Sequence, residues 1–543
     1  MGMAHATQIA HSPWSPFRHT TFTAVWIATL VSNIGAWMYS SASAWLMTSL
    51  DADPLMVSLV QVAATLPMVV LALPAGALAD IVDIRRFLIG AEVFIAVVST
   101  LFAAFVWFHL ISPSSLLLFI LLIESGSAAS APAWQSVVPQ LVPRQEMSAA
   151  VAMNSMGINV SRAIGPALGG AITAAFGLAA PFWVNGVSNL GVIGVLLRWR
   201  SAPTADSQLP AERFVSALRT GVRHSRNNRH LTATLLRAIG FFFFASCYWA
   251  LLPLVARNQV GGNAAFYGIV LGAIGASAIG AVFALPWLKT TLGPNRLVAA
   301  GSIGTAIVLF LYGVARAPVT ALGASIIAGA CWIAVLSTLN VSAQLALPEW
   351  VRGRGLAVYV TVSFGALTLG SMLWGQVARI GGVPMAHYIA AAGLLLTVPL
   401  TWRWKLQTGS ALDLTPSMHW PTPVLSQHVE SDAGPVLVTV EYRINETNRQ
   451  AFLRGLELLS HERRRDGAYA WGLFEDVAEP GRFLETFLIE SWLEHLRQHK
   501  RVTNADRVLQ QHVHRLLKGP PIVVHLIAAH PVPEKQQSRR DTL

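Results

Sequence analysis

The sequence predicts an all-α membrane protein, with 12 transmembrane helices in two six-helix halves, followed by a C-terminal α+β domain. Three observations carry that reading: long apolar runs, an abrupt rise in charge density near residue 434, and alternating hydrophobicity beyond it. Of 543 residues, 54% are hydrophobic and 12% charged, against about 25% charged in an ordinary soluble domain. Mean hydropathy is +0.52. These values exclude an ordinary soluble enzyme, a disordered chain and a fibrous repeat. Residues 1–434 hold 22 basic and 13 acidic side chains, and residues 435–543 hold 16 and 14. The two cysteines, Cys247 and Cys331, each lie in an apolar run and make neither a disulfide framework nor a metal cluster. The N-terminal stretch with Pro13, Pro16, Arg18 and His19 lacks a short apolar core and small-residue cleavage site, so no removed signal peptide is expected.

A helix crossing a bilayer takes about 20 mostly apolar residues. Six such stretches lie near 22–46, 55–78, 87–109, 114–138, 148–176 and 180–199, and six more near 229–256, 264–288, 295–315, 319–346, 354–379 and 384–405. Local matches relate the two sets. Gln135 and Pro139 have the spacing of Gln344 and Pro348, Gly76-Ala77 recurs as Gly280-Ala281, and Arg86-Phe87-Leu88 as Arg296-Leu297-Val298. Falling in order at nearly one offset, they favour two related halves with a site at the repeat interface.

Lys and Arg in short loops set orientation. Arg18, Arg85, Arg86, Arg144, Arg198, Arg296, Arg352 and Arg403 fall on one side, and Arg257, Arg316 and Arg379 on the other. Both termini are therefore expected in the cytoplasm. The net charge of +11 is explained by topology, and the basic stretch 198–229 is read as an anchor near anionic lipid, not a nucleic-acid site.

Between spans 2 and 3 runs Gly76-Ala77-Leu78-Ala79-Asp80-Ile81-Val82-Asp83-Ile84-Arg85-Arg86. A glycine here lets two helices approach closely. A carboxylate at a helix end pairs with a helix N-terminus or a guanidinium, a way to hold one mouth shut. Span 5 carries Asn154, Asn159, Arg162 and then Gly165-Pro166-Ala167-Leu168-Gly169-Gly170. Proline bends a helix and glycines let a neighbour close against it. Span 11 follows Pro348-Glu349-Trp350-Val351-Arg352-Gly353-Arg354-Gly355.

Taken in order over residues 18–405, these stretches resemble the major facilitator superfamily. Gly76, Asp80, Arg85 and Arg86 match its cytoplasmic gating loop, and Gly165, Pro166, Gly169 and Gly170 its exporter motif. Ile81 and Ile84 stand where basic residues are common, and Ser161 where a leading glycine is usual. Asp83 in place of glycine looks like the secretion-effector branch that includes enterobactin exporters.

Charge inside a membrane is costly and points to function. Glu124 lies about 15 Å along span 4 at 1.5 Å per residue, and Arg162 lies well inside span 5. Two readings stand: a static or titratable Glu124–Arg162 ion pair, and a role for Glu124, Arg162 and Asn159 in substrate binding or proton coupling. Glu92 and Arg237 are expected nearer the helix ends, where they snorkel. No Gly-x-x-x-x-Gly-Lys-Ser/Thr loop occurs, so transport is expected to run on an ion or substrate gradient.

Past a Pro-containing linker over 406–434, Val436, Val438, Val440, Tyr442 and Ile444 alternate with polar or less apolar residues, which predicts a strand. Phe452, Leu456 and Leu459 at helical spacing predict a helix over 446–464. Strands follow near 468–475 and 482–490, helices near 491–501 and 504–517, and a last strand near 521–529. The order β-α-β-β-α-β is ferredoxin-like. At Ser491-Trp492-Leu493-Glu494-His495-Leu496 the domain resembles the dimeric α/β-barrel family of antibiotic-biosynthesis monooxygenases, which implies homodimerisation through this domain. Trp471, Trp492, Phe474 and Phe487 are read as core or dimer interface. His495 and His499 have the spacing of helical metal ligands, but no third ligand is obvious. They are read as surface or interface residues, with no metal or cofactor expected.

The expected domains are an N-terminal bundle 1–199, a cytoplasmic central loop 200–228, a C-terminal bundle 229–405, the linker 406–434, a ferredoxin-like domain 435–531 and a polar tail 532–543. The resemblance implies a multi-pass inner-membrane exporter that is not an enzyme. It would exchange a siderophore-like or amphipathic drug-like small molecule for protons by alternating access, with the lipid bilayer and no nucleic acid as partner. An importer of the same fold stays open, as does a membrane-tethered enzyme or sensor whose C-terminal domain carries the activity.

Overall fold

The computed structural model describes residues 14–79, 82–199, 214–408, 413–415, 417, 419–420, 430 and 433–528. Asp80, most of the expected linker, the extreme N-terminus and the stretch 532–543 lie outside them.

Twelve helices run through the apolar part and the central loop: α1 Thr20–Leu50, α2 Pro54–Ala79, α3 Ile84–Trp107, α4 Pro113–Leu141, α5 Met147–Phe176, α6 Ala180–Arg198, α7 Phe214–Asn227, α8 Arg229–Leu254, α9 Ala264–Val314, α10 Pro318–Leu345, α11 Arg352–Gly381 and α12 Val383–Thr401. Among the described residues, ten helices are long and apolar enough to cross a membrane. The 30-residue α5 is also long enough, but Asn154, Asn159 and Arg162 dilute its apolar character. The expected spans 264–288 and 295–315 appear as one helix, α9, broken at Gly293 (φ 69°). Glycine tolerates that left-handed backbone, and Pro294 starts the next helical turn with its fixed φ.

Helix starts follow local chemistry. The Asp83 side chain accepts from the Arg86 N–H, Ser112 and Ser115 form a capping box before α4, and Asn263 accepts from the Phe266 N–H at 2.9 Å. Each satisfies a backbone donor that has no partner within the helix. In the first half α1 packs on α5 and α6, α2 on α4, and α3 on α4 and α6.

The chain divides into two compact units. The first holds Met1–Phe214, Ala233–Ala343 and Leu356–Gln407; the second holds Val215–Thr232, Gln344–Gly355 and Thr408–Leu543.

In the second unit the elements are β1 Val436–Arg443, α13 Arg449–Arg465, β2 Tyr469–Glu475, β3 Arg482–Ile489, α14 Trp492–Arg501, α15 Asn504–His514 and β4 Ile522–Ile527. The strands form one antiparallel sheet of order β2-β3-β1-β4. Val436, Val438, Val440 and Tyr442 are buried together with Phe452, Leu456, Leu459, Phe487 and Trp492, the faces that alternation and helical spacing foretold. Trp471 is half-buried, whereas Phe474 is exposed. The opposite sheet face exposes Leu484, Phe474, Ile522, Val524 and Leu526, with Thr439, Glu441, Thr486, Arg443 and Arg482 among them.

The second unit also draws in parts of the loops. Arg223 lies 3.8 Å from Glu494, Arg501 pairs with Glu494 and stacks 4.4 Å over the Trp350 ring. The His224 ring meets Trp350 edge-on at 5.3 Å. The basic stretch 198–229 is therefore not purely a lipid-facing anchor: Arg226 and Arg229 are exposed, but Arg223 and His224 turn inward.

Candidate functional site

The two sets of helices meet along glycines. A Cβ on Gly165 would stand 2.5 Å from Trp37 Cβ, and one on Gly169 would stand 2.9 Å from Met38 Cα, so these two glycines seat α5 on α1. One on Gly170 would stand 2.7 Å from the Ala264 carbonyl oxygen and 3.1 Å from Gly268 Cα, on α9. Gly268 answers with its own approach to Pro166 O, and Gly272 to Ala167. The exporter-like motif thus serves two packing faces at once: Gly165 and Gly169 within the first half, Gly170 across to the second. Pro166 is buried inside α5.

Other contacts between the halves gather at the same helix ends. Asp53, before α2, lies 3.3 Å from Arg379 in the last turn of α11. Arg257, in the π-helical turn that follows α8, donates to Thr48 Oγ1 at 3.0 Å and Ser49 Oγ at 2.6 Å, and stacks over Trp45 at 5.5 Å. Deeper along the helices, Thr65 and Thr368 hydroxyls bond at 2.7 Å and join α2 to α11.

Glu124 and Arg162 do not pair. Among the described residues, the Glu124 carboxylate takes the Tyr39 hydroxyl at 2.9 Å, and Tyr39 packs against the touching pair of Phe102 and Phe182 rings, 6.4 Å from each. Arg162 stacks 5.3 Å over the Trp37 ring, and its Nε has no hydrogen-bond partner among the described residues. Asn159 donates to Ser155 O in its own helix. Trp37 and Tyr39, two positions apart and on different faces of α1, have their partners on α5 and α4, and they escape a sequence reading because neither is charged.

Glu92 and Arg237 do not snorkel. Glu92 is buried and accepts from the Trp134 indole at 3.1 Å. Arg237 is buried and donates to Trp404 O at 3.0 Å and to Thr401 O and Asn295 O at 3.4 Å, satisfying carbonyls at the α12 C-terminus. In the stretch that resembles a gating loop, Gly76 sits in the last turn of α2. Arg85 donates to Leu196 O at 2.9 Å and Leu197 O at 2.6 Å, capping α6. Arg86 is exposed and 4.0 Å from Asp83.

Comparison with known proteins agrees with this architecture. The staphyloferrin A transporter of Staphylococcus aureus is 23% identical over 363 residues, 64% of this chain and 87% of that protein. Macrolide efflux protein A of Streptococcus pyogenes is 23% identical over 252 residues, 45% of this chain and 60% of that protein. The crystal structure of the nucleoside transporter NupG superposes with a TM-score of 0.58 at 12% identity, over 71% of this chain and 99% of that one, a likeness of fold. Residues 11–532 match the transmembrane secretion effector family, a span that includes the C-terminal sheet. With its many apolar helices and its glycine-packed halves, the chain belongs to the transmembrane secretion effector family of major facilitator transporters.

Proposed function

We propose that this chain is an inner-membrane secondary exporter with twelve spans and both termini in the cytoplasm. It moves a siderophore-like or amphipathic small molecule by alternating access. The observation that carries this reading is the α5–α9 contact at Gly170 and Gly268, reinforced by Asp53–Arg379 and by Arg257 on α1. All lie at one end of the helices, which the positive-inside pattern puts outside. They act as an outer gate that must part when the cavity opens outward, and Gly76, Asp80, Arg85 and Arg86 belong to the gate at the other end. Glu124, held by Tyr39, is the group we assign to proton coupling, and Arg162 and Asn159 are assigned to substrate.

The C-terminal domain, 435–531, is in this reading a ferredoxin-like accessory module, joined by the linker 406–434. Its exposed sheet face pairs with a second copy through its apolar residues, as open apolar sheet surfaces require a cover. The relatives' substrates, a siderophore and a macrolide by name, motivate the substrate class.

The test is proton movement in inside-out vesicles under a pH gradient, challenged with a panel of siderophores and amphipathic drugs. Compound-dependent collapse of the gradient supports antiport. Accumulation of a panel compound with no proton movement replaces it with uniport, and uptake in the opposite direction replaces export with import.

A further inference from the structure

The C-terminal unit gathers three histidines that are far apart in sequence. His495 and His499 are one turn apart on α14, where side chains four positions apart lie on one face. His525 comes from β4, opposite Val438 in the sheet register, and so points to the face that the helices cover. The His495 and His499 Nε2 atoms are 3.2 Å apart. One ligand nitrogen from each of the three residues lies within 4.8 Å of the others. The His525 ring centre is 4.6 Å from that of His495. Two nitrogens each bonded at 2.0–2.1 Å to a tetrahedral ion stand about 3.3 Å apart, close to the Nε2 separation. We propose that His495, His499 and His525 form a binding site for a divalent transition-metal ion of the zinc class, with a fourth position open to water.

The surroundings fit such an ion. His495, read from the sequence as a surface or interface residue, is buried. Trp492 lies 5.3 Å from it, and Trp420 meets His499 edge-on at 5.0 Å. Burial, and then the neighbouring rings, push His495 down to about 3 and His499 to about 4; burial lowers His525 as well. At neutral pH all three imidazoles therefore keep a lone pair for a metal. Arg463, whose charge bears on His495 and His499, is matched by Glu485 at 3.4 Å, whose carboxylate also accepts from Tyr442 and Trp471. An all-imidazole donor set selects zinc, nickel or copper over calcium and magnesium, which want oxygen. The short Nε2 spacing also suits a hydrogen bond between two neutral imidazoles, but that accounts for two of the rings and leaves His525 without a role. The ion would clamp α14 to the edge strand β4. This inference is independent of the transport reading.

The test uses the full-length protein in detergent, stripped by a chelator, desalted and titrated with Zn2+ against a chromophoric competitor. The expected result is one high-affinity Zn2+ per chain, weakened about a hundredfold or more in both His525→Ala and His499→Ala. His512→Ala, at an exposed site, should bind as the parent does. Far-UV circular dichroism checks that the variants fold. His499→Cys, which substitutes another ligand, should bind Co2+ with a thiolate charge-transfer band that the alanine variants lack. Equal Zn2+ affinity in parent and His525→Ala, or a parent that binds no Zn2+ beyond a variant lacking all three histidines, would overturn the site.

Discussion

Replacing Gly170 by alanine probes the gate most directly. The new Cβ would meet the Ala264 oxygen at 2.7 Å, Gly268 Cα at 3.1 Å and Ala265 Cα at 3.3 Å. All three are backbone atoms, so no side chain can swing aside. Ordinary contact needs about 3.4 Å or more, and α5 and α9 must therefore separate by several tenths of an ångström. Overpacking of this kind costs about 1–3 kcal/mol, which lowers the closed-to-open ratio of the gate by a factor of about 5–150. The readout is disulfide trapping between Ala167→Cys and Gly272→Cys, whose Cβ atoms would lie about 3.2 Å apart, near the 3.5–4.5 Å of a disulfide. The background lacks Cys247 and Cys331. Trapping should slow in Gly170→Ala, by the full factor where the open gate already dominates and by less where the closed gate does. Gly194→Ala, which has open space around it, should match the parent. Equal trapping rates in all three would refute the idea that the glycines set this gate.

Glu124→Gln should abolish proton-coupled flux while leaving insertion intact; unchanged pH-dependent flux would remove Glu124 from that role. Glu494→Ala removes the carboxylate that Arg501 and Arg223 share, and taking one partner from a buried ion cluster costs up to about 3–5 kcal/mol. The C-terminal unit should then become protease-sensitive and melt at a clearly lower temperature, and an unchanged melt would show that the cluster is energetically idle. Burial, with Arg465, Arg501 and Arg223 around it, holds His224 well below the usual imidazole range. The unfolded residue protonates near pH 6.5 while the folded one stays neutral. Stability therefore falls as pH drops below about 6.5, and His224→Gln should flatten that slope in denaturant titrations. Ile522→Asp with Leu526→Lys should convert dimers to monomers in light scattering if the open sheet face pairs copies; retained dimers would put the interface elsewhere.

How far the sequence was legible depends on how local each signal is. Helix bounds such as Pro113–Leu141, and the burial of Val436, Val438, Val440, Phe452 and Leu456, follow from period and capping within a few residues, so composition and spacing were enough. The partner of Glu124 was not legible, because Tyr39 lies 85 positions away and carries no charge to advertise it. The pairing expected from chain proximity, Arg162 across a short loop, gave way to a hydroxyl and an indole that the helix faces happened to offer. His495 and His499 have the spacing of helical ligands but were read as surface or interface residues; the third histidine, His525, joins them only through the facing of β4, a property of sheet register. Glu92 and Arg237 were misplaced for a similar reason. Depth along a helix does not tell whether a side chain faces lipid or a neighbour that can bond it.

The assembly of the second unit from residues 215–232, 344–355 and the C-terminal region has a consequence for biogenesis. Arg223, His224 and Trp350 leave the ribosome long before Glu494 and Arg501, the groups that cover them. About 270 residues separate Arg223 from Glu494, and at 5–20 residues per second the interval is roughly a quarter of a minute to a minute. Until then an indole and a buried-type imidazole stay uncovered, which is the kind of surface chaperones and proteases inspect. A chain cut after residue 410 would never close that window. Its steady-state abundance would fall along with any transport, so turnover must be normalised to inserted protein before a lost signal is ascribed to the carrier itself.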